Sequence, residues 1–233
     1  MAKFEFLTTD QLLKILDKHV FKQLHIHHTW KPTHRSFKGD NHIAMQQSMY
    51  NHHTKTNGWS DIAQHLTLFP DGLWLTGRPF NISPASIKGW NTGALCVEMV
   101  GNFDKIGQLP YNDLGYDELD GEQKRRILLL MRYFIDRYGE DSIKFHREGP
   151  GAGKTCPGTS LNKFAMIKEA KDIKLTSDKP ITPPIKEEDK NIPSSWAKKD
   201  WEQAIKEGIT DGTNPQGIPT REQVVSMIMR SRK

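Results

Sequence analysis

The sequence predicts an α/β fold, a mixed central β-sheet covered by helices, followed by a small C-terminal helical hairpin. Three observations predict it. Segments with helical spacing of apolar residues interleave with segments that alternate at the period of a strand over the first 170 residues. The 233-residue chain is 36% hydrophobic, with six Trp and ten Phe, which is enough to bury one sizeable core. Composition then changes after about residue 170, so the tail is read as a separate part.

The elements follow in order. Thr8, Thr9 and Asp10 open a helix carrying Leu12, Leu13, Ile15 and Leu16. QLHIHHT alternates as a strand, with Leu24 and Ile26 on one face and His25 and His27 on the other. A helix spans roughly 41–54. QHLTLF and LWLTGR form a hairpin around Pro70, Asp71 and Gly72. GALCVEMVG reads as a strand with Leu95, Val97 and Met99 facing away from Cys96 and Glu98. GEQKRRILLLMRYFIDRYG is a long helix closed by Gly139, SIKFH a short strand, and SLNKFAMIKEA a last helix opened by Ser160. Residues 171–193 carry four Pro and many charges but few large apolar residues, and read as a linker. In residues 194–233, Trp196, Trp201, Ala204 and Ile205 share a helix face that Gly208 ends, and Thr220 with Gln223 caps a second helix.

Charge and composition exclude several classes. The net charge of +5 suits an anionic partner, but no run of five basic residues occurs, which argues against nucleic acid. The longest aliphatic run, Ile127 to Met131, is too short for a membrane span. The opening MAKFEFLTTD lacks the pattern of an export signal. Two cysteines, Cys96 and Cys156, make no disulfide framework.

The chemistry-bearing residues lie at strand ends. Nine of ten histidines precede residue 66; His19, His34, His42, His52 and His53 are assigned to packing or solvation. His27 and His28 end a strand, a rigid place from which to hold an imidazole. His146 closes another strand, and Cys156 follows it across a Gly-rich loop, so the two are candidate zinc ligands. Gly153-Lys154-Thr155 ends like a phosphate-cradling loop, but that motif needs Gly where Glu148 stands, and nucleotide binding is rejected.

With His27, His146 and Cys156, the sequence resembles the type 2 N-acetylmuramoyl-L-alanine amidases, which include phage lysins and peptidoglycan recognition proteins. The likeness covers roughly residues 20–165. It includes His27-His28-Thr29, a strand Asp61-Ile62-Ala63-Gln64-His65, the Pro70-Asp71-Gly72 hairpin with Gly77-Arg78, Asn91 through Val97-Glu98, and His146, Lys154, Cys156 and Pro157. Gln64 stands where many members have Tyr. The resemblance implies an amidase and recognition-protein fold, with His27, His146 and Cys156 holding Zn2+ and leaving one position open to water. It implies cleavage of the amide between muramic acid and L-alanine in peptidoglycan. Glu98 would take the water's proton, Lys154 would stabilise the oxyanion, and His65 would orient a ligand or substrate or else be an interior His. A peptidoglycan-binding protein without catalysis is the alternative, as is a closed structural zinc site with His65, His25 or Cys96 as fourth ligand.

The C-terminal segment resembles one S-layer homology motif, through its Trp, Gly-Ile-Thr-Asp-Gly and Thr-Arg-Glu positions. That implies attachment to a secondary polymer of Gram-positive walls, with Arg221 and Trp196 as contacts. A hairpin that packs on the catalytic part or forms a homo-oligomer is the alternative. The expected organisation is a zinc amidase domain over 1–170, a linker over 171–193 and a wall-targeting module over 194–233. An endolysin made in the cytoplasm without a signal peptide and acting at the wall after release is expected, with a bacterial autolysin as the other source.

Overall fold

The computed structural model describes residues 3–105, 115–151, 153–173 and 197–210. The chain divides into two units, Met1–Pro183 and Pro184–Lys233. Trp196, Arg221, the helix expected from Thr220 and most of the expected linker lie outside the described residues.

The first unit is a six-stranded mixed sheet with helices on it. Strand β1 is Phe6–Leu7, β2 Gln23–His28, β3 Leu66–Leu68, β4 Trp74–Thr76, β5 Ala94–Met99 and β6 Ile143–Phe145. The order across the sheet is β1-β4-β3-β5-β2-β6. Strands β3, β5, β2 and β6 run parallel, while β4 is antiparallel to both β1 and β3. Strand β1 was not foreseen from sequence. Its two residues pair with Leu75 and Trp74, 67 or more positions away, so only the tertiary partner makes it a strand.

The helices are α1 (Thr9–Leu16), α2 (His42–Asn51), α3 (Gly121–Tyr138) and α4 (Lys163–Asp172). Thr8 and Gln11 form the reciprocal capping box of α1. Gly139 ends α3 with a φ of +78°, a conformation that glycine adopts without steric cost. Asn162, not Ser160, caps α4, its side chain accepting the Ala165 N–H; the Ser160 hydroxyl instead donates to the Phe103 carbonyl. Residues 61–65, expected as a strand, are irregular, and β3 begins only at Leu66. In the second unit, α5 (Lys198–Lys206) is followed by Gly208 at φ +70°, as the sequence predicts.

Alternation along the strands separates two surfaces. Leu24, Ile26, Leu95, Val97, Met99 and Phe145 enter a core with Leu12, Ile127, Phe134 and Ile167, so α1, α3 and α4 cover that face. The other face is only half covered. Helix α2 sits over β3 and β4, where Gln46 accepts from the Thr67 hydroxyl and donates to the Thr76 carbonyl, beside a small core of Met45, Phe69, Leu75 and Val100. The part of this face built by the ends of β2 and β5 lines a groove with His27, Cys96 and Glu98, and His25 lies buried on the same face of β2.

Candidate metal centre and groove

Parallel strands bring their carboxyl ends to one edge, which is where open α/β sheets place ligands. His27 is opposite Glu98 in the β2–β5 register, and Ile26 is opposite Phe145 in the β2–β6 register, so His146 falls beside His27. The rings of His27 and His146 have centroids 4.5 Å apart. Cys156 Sγ lies 3.6 Å from His27 Nδ1, and ligand atoms of His27, His146 and Cys156 all fall within 4.8 Å of one another. The three residues named from sequence therefore meet, from strands and a loop up to 129 positions apart.

The loop that delivers Cys156 is tied down on both sides. Buried Asp104 accepts from the Thr155 hydroxyl at 2.9 Å and from the Thr159 N–H at 2.9 Å. Arg147 donates to the carbonyls of Gly158 and Leu161, and its N–H to the Cys156 carbonyl. Gly158, at φ +128°, packs against the Phe103 backbone so closely that a Cβ would stand 2.6 Å from its carbonyl carbon. Asp104→Ala should strand the two donors and loosen the Cys156 loop, costing about 1–3 kcal/mol per donor in unfolding free energy. Chemical denaturation checks this; a variant as stable as the parent would remove Asp104 as the anchor.

Glu98 lies beside the triad on a groove of about 830 Å³ whose walls include Trp30, His53, Trp59 and Lys154. Its carboxylate makes no hydrogen bond or ion pair among the described residues, and burial raises its pKa to about 7. Lys154 is exposed on the groove rim.

His65, expected either to orient a ligand or substrate or to be an interior His, has the interior placement. Its Nδ1 accepts the Cys96 N–H at 3.0 Å and its Nε2 donates to the Ile82 carbonyl at 2.8 Å. With both nitrogens committed and Phe21 and Phe80 against the ring, it holds β5 to its neighbouring loop and does not line the groove. His25 and Cys96 are likewise outside the triad.

Burial sets the charge state of this region. It lowers the pKa of His25, His28, His65 and His146 to about 4 and that of His27 well below its ordinary value, with neighbouring His146 adding to the effect on His25 and His27. Unfolded, such rings take a proton near 6.5. Unfolding of the metal-free protein therefore takes up protons between about pH 6.5 and 4, and stability falls as pH drops through that window. Glu98 opposes this, since a carboxyl raised from 4.5 to about 7 favours the folded state at low pH and loses that contribution as pH rises through 7. One carboxyl is outweighed by several rings. The thermal midpoint should be lower at pH 5 than at pH 7.5; an unchanged or higher midpoint would contradict the neutral, buried assignment of these rings.

The family model described as N-acetylmuramoyl-L-alanine amidase matches residues 17–159, more than half of the chain and all of the site. The chain belongs to that family. It is similar to peptidoglycan-recognition protein SC1a of Drosophila melanogaster, 25% identical over 118 residues, and the matched part spans 51% of this chain and 58% of that protein. Among solved structures it is similar to the N-acetylmuramoyl-L-alanine amidase LysC of Clostridium intestinale, with 24% identity, 67% of this chain and 88% of that chain covered, and a TM-score of 0.49. It is also similar to Drosophila PGRP-LB, with 21% identity, coverage of 64% and 81%, and a TM-score of 0.47.

Within this amidase-family chain, several residues quoted from sequence serve the frame of the site. Buried Arg78 donates to the carbonyls of Ile62 and Ser83, and a Cβ on Gly77 would stand 2.5 Å from the Gln64 carbonyl oxygen. That pair pins residues 61–65 against the hairpin. Asn91 accepts the Ser86 N–H at 3.1 Å. Glu148, which breaks the phosphate-loop pattern, accepts the Phe145 N–H and pairs with Lys163, bracing the start of the loop.

Sequence reasoning missed Ser86 altogether. Its hydroxyl lies 2.6 Å from His27 Nε2 and 2.9 Å from His25 Nδ1. No motif marks it, because it reaches the site from an irregular loop.

The donor set fits zinc. Bonds of about 2.0–2.1 Å to nitrogen and about 2.3 Å to sulfur in a tetrahedron separate N and S by about 3.5 Å, and His27 Nδ1 and Cys156 Sγ are 3.6 Å apart. Burial pushes the Cys156 thiol up to about 12, against a backbone hydrogen bond at His28 that favours the thiolate, so the sulfur becomes a ligand only when a cation replaces its proton. No fourth protein ligand joins the group among the described residues, which argues against a closed structural site.

Proposed function

We propose that the chain is a zinc-dependent peptidoglycan amidase of the endolysin type, cleaving the amide between N-acetylmuramic acid and L-alanine. The observation that carries the reading is the meeting of His27, His146 and Cys156 beside a carboxylate that has no partner among the described residues, at the edge of an open groove. His27, His146 and Cys156 would hold the ion. When bound, zinc supplies Lewis-acid activation of water and of the scissile carbonyl. Glu98 takes the proton of the attacking water and returns it to the leaving amine of L-alanine; a carboxyl poised near neutrality suits both transfers. Lys154, on the rim, places a positive charge toward the carbonyl oxygen as negative charge develops there. The groove binds the glycan and stem peptide along the sheet edge and keeps bulk water from the reacting carbonyl.

The test is release of new amino groups from purified peptidoglycan, with and without a chelator. Chelator-sensitive release of L-alanine amino termini supports the reading. Reducing sugars instead would make the protein a glycosidase, and binding without cleavage would leave a recognition protein. The C-terminal unit is proposed to hold the enzyme on a wall polymer, and its described residues expose Ile205 of α5 and Ile209 just beyond it. Deleting residues 191–233 should reduce sedimentation with intact Gram-positive walls while leaving hydrolysis of soluble fragments unchanged. Equal wall binding by the shortened chain would remove that role.

A further inference from the structure

We infer that Gln23, His25 and Ser86 form a directional hydrogen-bond chain that fixes the tautomer of His27, making Ser86 and His25 positioning residues for the metal centre; the inference rests on the proposed zinc reading. The chain has four members in line. Gln23 Oε1 lies 3.1 Å from His25 Nε2, His25 Nδ1 lies 2.9 Å from Ser86 Oγ, and Ser86 Oγ lies 2.6 Å from His27 Nε2. At its end, His27 Nδ1 faces Cys156 Sγ.

Hydrogen-bond polarity then propagates. A carboxamide oxygen can only accept, so His25 carries its proton on Nε2, and the remaining nitrogen of a neutral ring, Nδ1, can only accept. The single Ser86 proton must point at His25. Ser86 Oγ is left as an acceptor toward His27, and His27 must carry its proton on Nε2. The lone pair on His27 Nδ1 is thereby aimed at the place a metal would take. Turned the opposite way, the chain would put a proton on His27 Nδ1, between the ring and Cys156, and ligation would require its removal.

The pieces are held in place. His25 and His27 are consecutive residues on the same face of β2 and both are buried, Gln23 precedes them on that face, and Asn91 accepts the Ser86 N–H. Neither Ser86 nor Gln23 belongs to the group of donors that would hold the ion. Partners of this kind raise metal affinity by about 10–100-fold.

Three variants of the full chain test the direction of the chain, and not merely the packing. Ser86→Ala should weaken zinc affinity about 10–100-fold in competition with a chelator. Gln23→Glu keeps an acceptor and should bind zinc within a few-fold of the parent. Gln23→Lys, at a partly exposed position, offers only donors, reverses the chain and should weaken zinc binding although it lies three side chains from the ion. A second readout is independent of metal: nitrogen NMR of the metal-free protein should show His27 protonated on Nε2, and a shift toward Nδ1 protonation in Gln23→Lys. Zinc affinities of Ser86→Ala and Gln23→Lys equal to that of the parent, or an Nδ1 proton on His27 in the parent, overturns the inference. A parent that takes up no zinc overturns the metal-centre reading, and the tautomer measurement then decides the chain by itself. Should Ser86→Ala fail to fold, the contrast between Gln23→Glu and Gln23→Lys carries the test.

Discussion

Glu98→Gln is expected to keep its zinc and lose about 10²–10⁴ of the hydrolytic rate on peptidoglycan. The amide preserves the size and the position opposite His27, so the donors around the ion remain in register. What it removes is the ability to accept a proton. Because the carboxylate has no partner among the described residues, the change breaks no hydrogen bond and should leave the thermal midpoint unchanged or slightly raised, since an uncharged amide is less costly to bury. The measurement is the rate of amino-group release at saturating substrate, alongside zinc content. A variant that hydrolyses at the parental rate with zinc bound would remove Glu98 as the base; one that loses its zinc would make it part of the ligand shell.

Cys156→Ser is the second large effect, and it acts one step earlier. A serine hydroxyl in the same buried place is a far poorer zinc ligand than a thiolate. The variant should lose stoichiometric zinc at neutral pH and with it all chelator-sensitive activity, a loss greater than the ~10–100-fold that an outer partner such as Ser86 supplies. Asp104, Arg147 and the Gly158 contact hold the loop without using the Cys156 side chain, so the metal-free variant should unfold near the midpoint of the metal-free parent. Retention of one tightly bound zinc and full activity would show that the ion sits elsewhere.

These two variants separate the parts of the proposed reaction. Glu98→Gln tests proton transfer with the ion in place, and Cys156→Ser tests the ion with the carboxylate in place. The pH dependence of stability tests a third property, the exclusion of water from the ring nitrogens of His25 and His65. Each reports on a different consequence of the same geometry.

Local pattern carried much of the fold. Helix α3 was legible because its apolar residues recur with helical spacing and Gly139 marks its end, and β2 and β5 because alternate residues are apolar. The ligands were legible because His27, His146 and Cys156 carry donor chemistry and sit at the ends of readable elements. Three features were not. Strand β1 exists only through pairing with β4, and Asp61 to His65 looked strand-like yet is shaped by Arg78 bonding from the far side of the hairpin. His65 looked like a catalytic histidine, but whether an imidazole is free depends on which backbone groups reach its two nitrogens.

The amino-acid order by itself determined which segments are helices and strands and which side chains can hold a metal or move a proton, because those properties are carried by spacing and by side-chain chemistry. The tertiary structure decided where they meet. The order β1-β4-β3-β5-β2-β6 rests on pairings as distant as Leu24 with Ile143, the parallel register sets Glu98 against His27 across 71 positions, and the loop that places Ser86 between two rings reaches His27 across 59. Hydrogen bonding between distant strands and burial of the sheet under its helices select those pairings, and neither leaves a mark within a local window of sequence.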